Sequence, residues 1–378
     1  MYKYTGLISL NMLYVNKKIF TINKLNFNKT LPVFSYSIAT FFLMDFAFFI
    51  NDIVSTLRFT YLESYILLGI PFIGRMVTPF VYSYLGRIGV PRLALASITS
   101  MAIISCLMGY ETYFFELFIS RFVIGILFGL ATSASIEVAS ITKSRITIGL
   151  TMGGWALGWL LGAVFFIFLK SWELVSIAGI IFVPAVLFSK KHNVISPALR
   201  KFHFDFSFKV FIIFLLGFTP SYILEIAPSY LGSAALEESI IAYSIAISAY
   251  LLLPYMINRF SLKKTLYPSL IIVAVSGVLF FLTKNIFMAV IFTMIGLGIN
   301  SLLPIISRNL NVEPDKIGPS MNFSAISGFI LPVVLTVGYE SINSSITILI
   351  TTVCFFVFMG IEFGRKSYAK KIYKIKRN

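Results

Sequence analysis

Four ionisable side chains sit inside long apolar runs of this 378-residue chain. They are Asp45 in FFLMDFAFFIND, Arg75 between Pro71 and Pro79, Arg121 in FISRFVIGILFGLATSASIEVAS, and Glu225 in TPSYILEIAPSY. If those runs cross a bilayer, a cation within one costs from about 2.5 to over 10 kcal/mol, so it must face a cavity, a partner or a ligand. An apolar site disfavours the charge on a lone carboxylate and a nearby guanidinium restores it, so an acid and an arginine at one depth form a protonation switch. At 1.5 Å per helical residue, Asp45 near Ile50 and Arg121 near Tyr113 differ in depth by roughly 5 Å and can pair. Asp45 and Glu225 are the candidates to carry a coupled proton, with Arg121 holding that carboxylate or an anionic group of a substrate. The competing reading is a static ion pair that orients helices.

Arg75 shares a helical face with Pro71 and Pro79, each of which removes a backbone hydrogen bond. Its guanidinium can bind freed carbonyls, bridge helices, or clamp a carboxylate or phosphate through two parallel hydrogen bonds. Trp155 and Trp159, at i and i+4, face one side and can stack on a sugar ring or simply pack. Asn300 and Asn322 can bond a substrate in a cavity or cross-link neighbouring helices.

Other chemistries lack their residues. There is no Gly-x-x-x-x-Gly-Lys stretch to cradle a nucleotide's phosphates. Asp45 and Asp52 would stand roughly 10 Å apart along a helix, too far to ligate one ion. His192 and His203 lie in a polar interval away from both. A membrane enzyme acting on lipid-linked substrates is thus the weaker reading, and neither a metal nor a cofactor is expected. Cys106 and Cys354 fall in apolar runs and read as small fillers rather than a disulfide framework.

The elements that must position these groups are membrane-spanning helices. With 58% hydrophobic and 12% charged residues and a mean hydropathy of +0.90, the chain is no water-soluble globule. Runs long enough to cross roughly 30 Å of hydrocarbon predict about twelve spans, near 31–50, 65–85, 93–110, 113–135, 147–169, 174–188, 210–231, 240–257, 266–282, 287–306, 321–337 and 346–361. With a cytoplasmic N-terminus, 26 of the 31 basic residues fall on the inner side. Arg58, Lys170 and Lys284 fall outside, and Arg75 and Arg121 lie within spans. This asymmetry predicts that both termini are cytoplasmic. The net charge of +16 then faces anionic lipid head groups, and no nucleic-acid partner is expected.

The widest internal polar interval, SKKHNVISPALRKFHFDFSFK, divides about six spans from about six. The expected organisation is a cytoplasmic N-terminal segment (1–30), a six-helix bundle (31–189), a cytoplasmic linker (190–209), a second six-helix bundle (210–364) and a basic tail (365–378). Arg87 and Arg259 follow corresponding spans 172 positions apart, as a duplicated unit predicts. Gly125 and Gly129, and Gly154, Gly158 and Gly162 at i, i+4 and i+8, make narrow faces for close helix packing.

From about Leu31 to Gly364 this layout resembles the major facilitator superfamily. GRIGVPR, from Gly86 to Arg92, is similar to the family's signature loop between the second and third helices, with Arg87, Gly89 and Arg92 matching. Tyr82 stands where the signature has its first Gly and Gly86 where it has Asp, so the signature's carboxylate is missing. The second half repeats the pattern with Asn258 in the acid's place, then Arg259, Lys263 and Lys264. Arg121, Gly125, Gly129 and Glu137, ahead of the basic loop at Lys143, resemble the family's fourth helix. The fifth span lacks the Gly-Pro pair of the family's antiporters.

The resemblance implies an all-α polytopic membrane protein of two pseudo-symmetric six-helix bundles around a central cavity, working as a secondary transporter by alternating access. The first span, with Asp45 and Asp52, resembles those of sugar and metabolite proton symporters. That implies a small polar organic solute, a sugar or organic acid, with protons as coupling ion; the two intramembrane arginines tilt the expectation toward an anion. The alternatives are a drug or metabolite efflux antiporter of the same fold and a non-transporting membrane sensor. A monomer in the cytoplasmic membrane, with solute, protons and lipid as its partners, is the expected working unit.

Overall fold

Apolar runs become helices wherever the computed structural model describes the chain, which is over residues 29–142, 144–191, 233–283, 285–309 and 312–326. Glu225, Lys143, Cys354, the seventh and twelfth expected spans, most of the eleventh, most of the linker and the basic tail lie outside the described residues. The helices are α1 (Lys29–Leu57), α2 (Tyr61–Leu85), α3 (Val90–Met108), α4 (Phe114–Ile141), α5 (Arg145–Leu169), α6 (Trp172–Ala178), α7 (Ser233–Phe260), α8 (Leu262–Thr283), α9 (Ile286–Asn300), α10 (Leu303–Asn309) and α11 (Pro314–Phe323). Among the described residues no strand occurs, and seven helical segments are long and apolar enough to cross a membrane.

Local chemistry sets the helix ends. Thr60 and Glu63 form a reciprocal capping box at the start of α2, and Ser144 and Ser171 cap α5 and α6. Arg58 and Lys170 turn left-handed to end α1 and α5. Gly89, with φ of 103°, makes the corner into α3, where a Cβ would be strained.

Large apolar side chains face outward around an apolar core, and several charged and polar groups are buried within that core. Phe80, Leu107, Phe115, Phe168 and Val275 are exposed, while Asp45, Arg75, Arg121, Glu137 and Asn322 are buried. Hydrocarbon solvent demands this arrangement, because polar groups can be satisfied only inside the bundle.

Glycines let specific helices touch. A Cβ on Gly125 of α4 would fall 2.6 Å from the Cα of Pro71 in α2, and one on Gly129 would fall 3.1 Å from the Cβ of Thr78. On α5, Cβ atoms at Gly154, Gly158 and Gly162 would meet Tyr36 at 2.9 Å, Thr40 at 2.5 Å and the Phe48 ring at 2.9 Å, all on α1. Both glycine stripes therefore hold a neighbouring helix at backbone distance.

Three spans depart from simple α-helix. The sixth is α-helical only over α6 and continues as 3₁₀ turns over Gly179–Lys191, around Pro184. The tenth breaks at Ser301–Leu302, between α9 and α10. The first is interrupted by a 3₁₀ turn at Asp45–Phe49, where the Asp45 carboxylate takes the Phe46 N–H at 2.7 Å. α11 starts at Pro314, ahead of the expected start near 321, because proline suits the first turn of a helix. Segments on either side of the polar interval meet along two seams: α11 packs on α2 and α4, and α7 packs on α5.

Candidate functional site

Asp45 and Arg121 form an ion pair with Oδ1 and Nη1 3.6 Å apart and both side chains 0% exposed. The guanidinium also donates from Nε to the Leu67 carbonyl at 3.2 Å, from Nη1 to Phe42 at 3.4 Å and from Nη2 to Leu43 at 2.9 Å. Its carbon lies 4.8 Å from the centre of the Phe46 ring. The Phe42 and Leu43 carbonyls are available because the 3₁₀ turn starts just beyond them. On the carboxylate's other side, the Ser105 hydroxyl lies 3.5 Å from Oδ2 and 3.4 Å from the Ser176 carbonyl, and its one proton serves one acceptor at a time. A buried ion pair survives in hydrocarbon only when its remaining hydrogen-bonding capacity is met, and α1, α2 and α3 meet it here. Asp52 is exposed, so the two acids of the first span occupy unlike environments.

Arg75 and Asn322 form a second buried polar centre, joining α2 to α11. Arg75 donates from Nε to the Asn322 Oδ1 at 3.0 Å. The Asn322 amide donates to the Gly129 carbonyl and the Ser133 hydroxyl, both at 2.9 Å. The Arg75 guanidinium lies 4.6 Å from the centre of the Phe128 ring, which meets Tyr36 and Trp155 edge-to-face. A Cβ on Gly318 would fall 2.5 Å from the Ser133 Cα, so α11 reaches α4 at backbone distance.

Trp159 lies on the other seam. Its ring stacks on Tyr243 of α7, centroids 4.1 Å apart and planes at 14°, and Phe48 of the 3₁₀ turn touches it at 5.0 Å. The Trp159 indole Nε1 and the Asn300 Oδ1 are buried with no hydrogen-bond partner among the described residues. Along the same seam, Arg145 of α5 donates to the Asn258 side chain of α7. Arg87 lies over Tyr84 and Arg259 over Phe260, and Arg92 is exposed. Gly86 is buried at the end of α2. Tyr82, at the first-glycine position of the loop signature, donates to the Glu137 carboxylate at 2.7 Å.

The structure thus brings Asp45 to Arg121, Arg75 to Asn322 and Asn258 to Arg145, and it sets Trp155 and Trp159 at different aromatic contacts. Sequence reasoning missed Ser105, Ser133, Phe48 and Tyr243, since a hydroxyl or aromatic in an apolar run is common and its partner sits on another helix. The chain matches no family model and no curated protein. Fold and site together define an apolar helical bundle with charged and polar groups gathered inside it, the architecture of a polytopic membrane protein.

Proposed function

We propose that this chain is a secondary active transporter of the major facilitator kind, moving a small polar organic solute across the cytoplasmic membrane by alternating access of two six-helix halves, coupled to protons. The observation that carries the reading is the wholly buried Asp45–Arg121 pair at a break in α1, in a bundle whose two parts meet along polar and aromatic seams. Paired intramembrane charges and interrupted helices both recur at the ion and proton sites of transporters, which supports this reading. Arg121 serves Asp45 in this reading, because three backbone carbonyls and that carboxylate already surround it. Arg75, Trp155, Trp159 and Asn300 remain the residues for solute contact. The seam contacts Arg75–Asn322 and Arg145–Asn258 would part and re-form as the halves rock.

The test is uptake into proteoliposomes of purified protein, over sugars, amino acids and carboxylates, with and without an imposed pH gradient. Gradient-driven uptake lost in Asp45→Asn supports the proposal. Unchanged pH-dependent uptake in that variant removes Asp45 from coupling, and no counterflow with any solute leaves the membrane-sensor reading in its place.

A further inference from the structure

The 3₁₀ turn in α1 has a physical cost, since its hydrogen bonds are poorer than those of an α-helix and hydrocarbon offers no partner to replace them. The charged pair holds it open. In an unbroken helix the Phe42 and Leu43 carbonyls would accept the N–H groups of Phe46 and Ala47. Here Arg121 takes both carbonyls and the Asp45 carboxylate takes the Phe46 N–H. Arg121 is the charged group that acts on Asp45 among the described residues. Around the pair, α3 presents Ser105, α6 the Ser176 carbonyl and α2 the Leu67 carbonyl. α5 presents Trp159, Gly162 and Phe166 to the turn.

The same five residues carry an aromatic hand. Phe46 packs on Trp172 at 5.3 Å, Phe49 on Phe166 at 5.0 Å, and Phe48 lies between Gly162 and Trp159, whose ring stacks on Tyr243 across the seam. One end of the turn is therefore the ion pair and the other is the seam between α5 and α7.

We propose that Asp45–Phe49 is a winding switch: a proton on Asp45 lets the turn rewind into α-helix, and rewinding withdraws Phe48 from Trp159. A neutral carboxyl holds the Phe46 N–H more weakly than a carboxylate, which releases that N–H to the Phe42 carbonyl. Arg121, still charged, keeps the Leu67 and Leu43 carbonyls and the C=O oxygen of the neutral acid as acceptors and yields only its long 3.4 Å contact to Phe42, while the second lone pair of the Leu43 carbonyl accepts the Ala47 N–H. Five residues passing from about 2.0 Å and 120° each to about 1.5 Å and 100° shorten α1 by ~2.5 Å and rotate its outer end by ~100°. The face of Trp159 that Phe48 covers would then be open at the seam, and the indole N–H, buried without an acceptor, would be offered to an oxygen of the solute. This rests on the transporter reading for its purpose, but the test needs no transport.

The test is the fluorescence of a chain carrying Trp155→Phe and Trp172→Phe, so that Trp159 alone reports, in lipid nanodiscs without a gradient. Acidification from about pH 8 to about pH 4, which reaches the ordinary carboxylate range, should shift the emission reversibly. Asp45→Asn should begin at the shifted position and not respond. No shift in the parent, or a full pH response in Asp45→Asn, overturns the switch. Should Asp45→Asn fail to assemble, Phe48→Ala leaves the ion pair in place and must abolish the response; a response that survives it overturns the switch equally. A fluorescence response with no uptake by the unsubstituted chain discards transport and keeps the switch, whereas uptake by the unsubstituted chain without the response does the reverse.

Discussion

Asp45 and Arg121 lie 3.6 Å apart with neither side chain exposed, and Arg121 ties together carbonyls of α1 and α2 around that contact. Arg121→Met leaves a buried carboxylate without its partner and should cost about 3–5 kcal/mol. The double variant Asp45→Leu with Arg121→Met should recover most of that loss, because no uncompensated charge remains. Thermal unfolding in detergent reads both. Equal loss in the single and double variants would mean that packing, not charge, sets the effect.

Asn322 joins α11 to α2 and α4 through hydrogen bonds to Arg75, Gly129 and Ser133. Asn322→Leu removes the acceptor of the Arg75 Nε–H and leaves the Gly129 carbonyl and Ser133 hydroxyl without its amide, at a cost of about 1–3 kcal/mol. Labelling of Ser133→Cys by a water-soluble thiol reagent, in detergent-solubilised protein, should be faster in the Asn322→Leu background, and an equal rate would mean that the seam holds without this amide.

Neighbouring glycines on α5 should respond unlike one another. A Cβ at Gly158 would fall 2.5 Å from the Thr40 Cβ, so Gly158→Ala should lose roughly 1–3 kcal/mol. A Cβ at Gly153 would stand 3.4 Å from Tyr250, an ordinary contact, and Gly153→Ala should stay within about 0.5 kcal/mol of the parent. Unfolding midpoints of the two variants compare them directly.

Glu111, in the connection between α3 and α4, is the group whose titration should show in stability. Burial pushes its carboxyl above the usual range, the Ser120 hydroxyl at 2.6 Å opposes that, and the Glu116 charge adds to it. A carboxyl whose folded value is raised binds its proton more tightly in the folded state. Its contribution to stability is therefore complete at low pH and is lost as pH rises from the unfolded value through the folded one. Between about pH 4 and pH 7 the Tm of Glu111→Gln should fall less with rising pH than that of the parent.

The sequence by itself determined the solvent, the depth and the spacing of this protein's parts. Apolar run length, the scarcity of charge and a rise of about 1.5 Å per residue are local quantities, so membrane helices and a similar depth for Asp45 and Arg121 could be read without knowing any neighbour. The stripe Gly154, Gly158 and Gly162 was legible for the same reason, since helical periodicity alone puts the three on one face. That the stripe receives α1, through Tyr36, Thr40 and Phe48, is a fact of tertiary structure.

The tertiary structure also decided the break at Asp45–Phe49, the choice of Asn322 as partner for Arg75, and the stack of Trp159 on Tyr243. None of these is local. An apolar run defaults to α-helix, and a 3₁₀ turn wins only where Arg121, carried on another helix, takes the carbonyls that the α-helix would have used. Partner choice among buried polar groups follows from which helices close packing brings together, and that depends on the whole bundle rather than on any one segment.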